Sequence, residues 1–152
     1  MSLFNYYSSV SPAEAWNLSN LSHCTGLQTI TFILHLHLFA SNDFIPMFFD
    51  HFSHILSLTR KAPILKVAYR VERGVVGSLM NVMKAEDWVR VVNALIELPC
   101  LKVVSFMVQG RHEVRPANGF ENPKWISFPA ESQTVLNEHL TLLRTKGIEI
   151  CY

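Results

Sequence analysis

The sequence predicts an α/β fold, a solenoid segment in which about four parallel strands form one sheet and the connecting helices pack on one of its faces. Three observations predict it. An apolar-x-x-apolar-x-aromatic-x-apolar pattern begins at Leu27, at Ile64 and again at Leu101, at two successive intervals of 37 residues. Within each copy, apolar and mixed positions alternate with period two, as a strand with one buried face requires. Between copies, apolar residues recur at steps of three and four, the spacing of a helix with one buried stripe.

Residues 1–22 are expected to form an N-terminal cap with a short helix. Ser11-Pro12-Ala13-Glu14 supplies a capping serine, a proline in the first helical position and a glutamate able to reach back. The repeat domain follows, from 23 to 152. Its first strand, near 27–36, turns Ile30, Phe32 and Leu34 inward and Thr31, Ile33 and His35 outward. A helix near 44–60 places Phe44, Phe48, Phe52, Ile55 and Leu58 on one stripe. The second strand, near 64–72, turns Val67, Tyr69 and Val71 inward and Lys66, Ala68, Arg70 and Glu72 outward. Gly74-Val75-Val76-Gly77-Ser78 lacks the lysine and the full spacing of a phosphate loop and reads as a flexible turn.

The next helix, near 85–98, buries Trp88, Val91, Val92, Leu95 and Ile96. It stops at Pro99, which has no amide donor and clashes with the preceding turn. A third strand, near 101–109, turns Val104, Phe106 and Val108 inward and Ser105, Met107 and Gln109 outward. The last helix, near 130–145, buries Val135, Leu136, His139, Leu140 and Leu143, and Gly147 is placed for a left-handed cap. A closing strand near 148–152 sets Ile148 and Ile150 where Val104 and Phe106 stand in the third copy.

Strands alternating with helices imply parallel pairing through right-handed crossovers. A doubly wound fold, with helices on both faces, is the alternative. The charged outward positions Lys66, Arg70 and Glu72 argue against it, because strands buried on both faces read as continuous apolar runs.

Composition narrows the function classes. The 152 residues are 49% hydrophobic and 16% charged, which is a folded chain rather than a disordered one. A net charge of +1 provides no field for nucleic acid or for an anionic membrane. The apolar run Ile30–Ala40 is interrupted by His35 and His37 and is too short to span a bilayer. The N-terminus does not read as a signal peptide, so the expected compartment is cytoplasm or nucleus, and the sequons at Asn17 and Asn20 carry no weight. Cys24, Cys100 and Cys151 are widely spaced and are expected to be small apolar core residues rather than disulfide or CxxC partners.

Leu27-x-x-Ile30-x-Phe32 and Leu101-x-x-Val104-x-Phe106 resemble the Leu-x-x-Leu-x-Leu core of leucine-rich repeats. With a full helix in each unit, the chain is similar to the divergent repeats in the C-terminal halves of basidiomycete fungal F-box-like proteins. The residues that carry this are Cys24-Thr-Gly-Leu27-Gln-Thr-Ile-Thr-Phe32, Trp88-Val-Arg-Val-Val-Asn-Ala-Leu95, Leu98-Pro-Cys-Leu-Lys-Val-Val104 and the ending Leu142-Leu143-x-x-x-Gly147-Ile148. The resemblance covers roughly residues 20–152. It implies substrate recognition for a ubiquitin ligase, with a protein as the partner. Two features depart from the pattern. His35, Glu72 and Gln109 stand where the repeat asparagine would be, so no asparagine ladder is expected, and no leucine-proline opening of an F-box precedes the repeats. The resemblance therefore implies a stand-alone or truncated repeat portion.

Residues suited to catalysis are few. His35 and His37, two apart on one strand, share a face and could grip one metal with Asp43 or Asp50 adding a carboxylate; the alternative is two ordinary polar residues on the exposed sheet face. His51 and His54 belong to the next helix, whose stripe turns to the other side of the sheet, so the two pairs are not expected to converge. There is no Gly-x-Ser-x-Gly elbow, and Glu86, Asp87, Glu97, Glu131 and Glu138 fall on helix surfaces or first turns. No catalytic residue, metal or cofactor is expected. The leading reading is a non-catalytic protein-interaction module, and a small metal- or ligand-binding domain built on His35 and His37 is the rival. The expected contact surface is Thr31, Ile33, His35, Lys66, Arg70, Glu72, Ser105, Met107 and Gln109, joined by Arg111, Phe120 and Trp125 from the irregular stretch 110–128. That stretch could equally be a surface insertion with Trp125 tucked against the last helix.

Overall fold

The computed structural model describes residues 26–34, 44–110 and 124–152. Over these the chain runs β1 (Thr29–Leu34), α1 (Phe44–Leu58), β2 (Lys66–Val71), a 3-10 turn (Arg73–Val75), α2 (Val76–Val82), α3 (Ala85–Ile96), β3 (Val103–Gln109), β4 (Trp125–Ser127), α4 (Ala130–His139), α5 (Thr141–Thr145) and β5 (Glu149–Cys151). The expected N-terminal cap with its Ser11–Glu14 helix start, Cys24, His35, His37, Arg111 and Phe120 lie outside the described residues. No described helix is long and apolar enough to cross a membrane.

Residues 37 apart in the sequence are neighbours in the sheet. Parallel β1 and β2 pair Ile30 with Val67, Phe32 with Tyr69 and Leu34 with Val71; parallel β2 and β3 pair Val67 with Val104, Tyr69 with Phe106 and Val71 with Val108. The strand entrances repeat as well. The Gln28 carbonyl accepts the Leu65 and Lys66 amides at 2.8 and 3.1 Å, and one unit later the Leu65 carbonyl accepts those of Lys102 and Val103 at 2.9 and 3.1 Å.

The fourth sheet position is divided. β5 runs parallel to the first half of β3, pairing Glu149 with Val103 and Cys151 with Ser105. β4 runs antiparallel to its second half, pairing Ser127 with Met107 and Trp125 with Gln109. Ile150, not Ile148, therefore lies beside Val104, and the closing copy is displaced by two residues from its expected alignment. Ile148 is still buried, at the strand entrance.

The inward row forms the core. The Phe32 and Tyr69 rings stack with centroids 5.5 Å apart, and those of Tyr69 and Phe106 at 5.1 Å. From α1, Phe52 stacks on Phe32 at 4.4 Å and Phe49 on Tyr69 at 5.5 Å. Trp88 of α3 meets Phe49 and Phe106, and Phe128 and Tyr152 close around Phe106. Offset and edge-on aromatic pairs contribute roughly 0.5–1.5 kcal/mol each beyond their buried area. The remaining helices pack onto α1 and α3, so the described helices share one face of the sheet, as expected.

Several elements differ from expectation for identifiable reasons. The α1 stripe is Ile45, Phe48, Phe49, Phe52, Ile55 and Leu56, while Phe44 is exposed and Leu58 half-buried. Residues 73–82 are helical rather than a flexible turn, because Val75, Val76, Leu79 and Met83 all bury into the core. The last helix is broken at Leu140 (φ −96°, ψ 8°). There the Thr141 hydroxyl donates back to the Asn137 carbonyl at 2.9 Å, a local bond that competes with the helical ladder. Cys100 is exposed in the turn after Pro99 and Cys151 is half-buried, so neither is a core residue.

Candidate functional surface

Opposite the helices, the sheet presents rows of side chains fixed by the same register. One row is Thr29, Lys66, Val103 and Glu149; the middle one is Thr31, Ala68, Ser105 and Cys151; the last is Ile33, Arg70, Met107 and Ser127. Strands lie about 4.8 Å apart, so each row is a regular ladder. Its members are not equally available. Thr31 and Ser105, expected to be open contact positions, are only 4% and 3% exposed, and Ala68 between them is buried too. Ile33, Arg70, Glu72, Met107, Gln109 and Trp125 are half-buried, and Lys66 is exposed.

Arg70 and Trp125 form the most specific contact on this surface. β4 alternates like any strand, so Trp125 and Ser127 share the outer face with their partners Gln109 and Met107. Trp125 then lies beneath the Arg70 guanidinium, whose carbon is 5.2 Å from the ring centroid, a cation–π distance. The ring is thus set against Arg70 and not against the last helix. Gly110 permits the chain to return so tightly. Its amide donates to the Lys124 carbonyl at 2.8 Å, and a Cβ there would sit 3.2 Å from that same oxygen.

The electrostatic setting of Arg70 differs from that of its neighbours. Arg60 pairs with Glu97, and Arg90 bridges Asp50 at 3.0 Å and Asp87 at 2.6 Å, tying α1 to α3. Asp87 also accepts the Lys84 amide at 2.9 Å and so caps α3. Arg70 has no ion pair among the described residues, and its Nε is buried without an acceptor. Glu72, two residues on, has the same outward register but forms no ion pair with it. Ser105 Oγ and Tyr69 Oη are likewise buried without partners among the described residues.

The histidine chemistry is not assembled by the described residues. His51 and His54 sit on α1, among the helices. Burial, and then the charge of His54, lower the His51 pKa below the ordinary histidine value, with Asp50 opposing. No group of three or more metal-ligating side chains occurs among the described residues. Sequence reasoning found Arg70 and Trp125 separately but not their contact, because a three-residue strand carries too short an alternation to be recognised. Val103, which lies beside Lys66 in the outward register, was also missed. No protein-family model, curated protein or solved structure matches the chain.

Proposed function

We propose that the protein is a non-catalytic interaction module that docks a partner protein on the sheet face opposite the described helices. In this reading the chain is a leucine-rich-repeat-like solenoid segment, serving as the substrate-recognition portion of an F-box-type protein or a stand-alone derivative of one. The observation that carries it is the ladder itself. Three parallel strands in a constant 37-residue register hold Ile33, Arg70 and Met107 in one line, backed by a rigid aromatic core. Regularly spaced side chains on a stiff support suit recognition of an extended surface better than they suit enclosure of a small molecule. The mixed chemistry of the line, aliphatic, cationic and thioether, matches a protein partner, since methionine and arginine are both enriched at interfaces.

The test uses the intact chain as bait with two paired variants. Ile33→Arg with Met107→Arg alters the sheet face opposite the described helices, whereas Val89→Arg with Leu142→Arg alters exposed apolar residues on the helices. A partner should be retained by the wild type and the helix-side variant and be lost at least tenfold from the sheet-side variant, with all three showing similar thermal midpoints. Equal retention by both variants would overturn the proposal.

A further inference from the structure

Resting on that reading, we propose that Arg70, braced by Trp125, is the anchor that receives a carboxylate side chain of the partner, an Asp or Glu flanked by apolar residues. Three observations meet at this position. No described residue accepts a hydrogen bond from Arg70 or pairs with its charge, although the side chain is half-buried. Nε is buried and so lies out of a partner's reach, which leaves the two terminal nitrogens of the guanidinium as the donors that face outward. The Trp125 ring lies against the guanidinium at 5.2 Å, and stacking of this kind limits the rotation that an arginine on an open surface would have to give up on binding.

The geometry selects the ligand. A guanidinium carries its donors in a planar fork, and one fork matches one carboxylate in a bidentate pair. A phosphate dianion would call for several converging cations. Lys66, the other cation of β2, stands four residues along the strand, roughly 13 Å away at 3.3 Å per residue, so it does not converge on Arg70. Ile33 and Met107 flank Arg70 in the same row and offer apolar contact on either side. The partner residue is therefore an acid between apolar neighbours, not one of a run of acids.

A random-sequence peptide display selection on the intact chain tests this. The selected peptides should share one Asp or Glu beside apolar residues, and replacing that acid by its amide should weaken binding to the wild type at least tenfold. The same replacement should change binding to Arg70→Gln less than twofold, and Arg70→Lys, which keeps the charge but not the fork, should fall between. Because the amide swap is made in the peptide, the result stands even if Arg70→Gln proves unstable. Peptides that are lost on Ile33→Arg with Met107→Arg yet tolerate the amide swap would overturn the carboxylate anchor and leave the docking surface in place. Tenfold tighter binding of a phosphoserine peptide than of its glutamate counterpart would overturn it equally. Failure to select any peptide on the sheet face opposite the described helices would remove the anchor and the docking reading together.

Discussion

Tyr69 stands at the centre of the core with a hydroxyl that no described residue bonds. The ring occupies the middle of the Phe32–Tyr69–Phe106 stack and is 1% exposed, while Oη has no hydrogen-bond partner among the described residues. Burial pushes the phenol pKa well above its ordinary value, because a phenolate would be desolvated there. A buried donor without an acceptor carries its full desolvation cost, roughly 1–3 kcal/mol. Tyr69→Phe should therefore stabilise the protein by about 1 kcal/mol, seen as a higher urea midpoint at unchanged slope; a lower midpoint would mean that the hydroxyl has an acceptor in solution. One residue along the strand, Arg70 shares this state at Nε alone, since the rest of the side chain is half-buried in the outward register. The sequence shows an aromatic at position 69 and a cation at position 70. It does not show which polar groups lack partners, because that depends on what every neighbouring element places within 3 Å.

Between elements, two sequence signals compete for the strand register. Pro63-Ile-Leu-Lys-Val67 and Pro99-Cys-Leu-Lys-Val103 match in four of five residues at an interval of 36, whereas the apolar alternation asks for 37. The sheet adopts 37, pairing Lys66 with Val103 and Val67 with Val104. A shift of one residue would turn every side chain of a strand to the other face, so burial outweighs local identity. This is why the three long strands and the two long helices were legible. The 3-10 turn with α2, the break at Leu140 and the three-residue β4 were not, since each is too short for a periodic pattern to declare itself. Gly147 is the short-range signal that did suffice. It sits at φ +77°, and the amides of Gly147 and Ile148 donate to the carbonyls of Arg144 and Leu143 at 2.9 and 3.0 Å, closing α5 in a Schellman turn. Gly147→Ala should cost about 1–2 kcal/mol, because a Cβ is disfavoured in that conformation even where, as here, nothing crowds it. Loss of less than about 0.3 kcal/mol in denaturant titration would show that the turn relaxes without penalty.

Across the molecule, hydrogen-bonded pairing and aromatic packing concentrate in the same place. β2 is flanked by a six-residue parallel ladder on each side, whereas β4 has one partner over three residues. Amides of β2 should exchange with solvent most slowly, and those of β4 should exchange at least a hundredfold faster, a gap of about 2.7 kcal/mol in opening free energy. Hydrogen exchange followed residue by residue would check this, and equal protection of the two strands would contradict it. The alternation of strands and helices and the parallel pairing were legible in the 37-residue interval; the division of the last sheet position between two short strands was not, since it depends on a chain reversal after Gln109.

That division gives the sheet a direction. A strand arriving beside β4 and β5 would meet a parallel partner for three residues and an antiparallel one for the next three, and the two hydrogen-bond ladders have different spacing and slant. No single straight strand can satisfy both. Among the described residues the β1 side shows the reverse: six uncharged residues, Thr29–Leu34, in one unbroken parallel frame with β2.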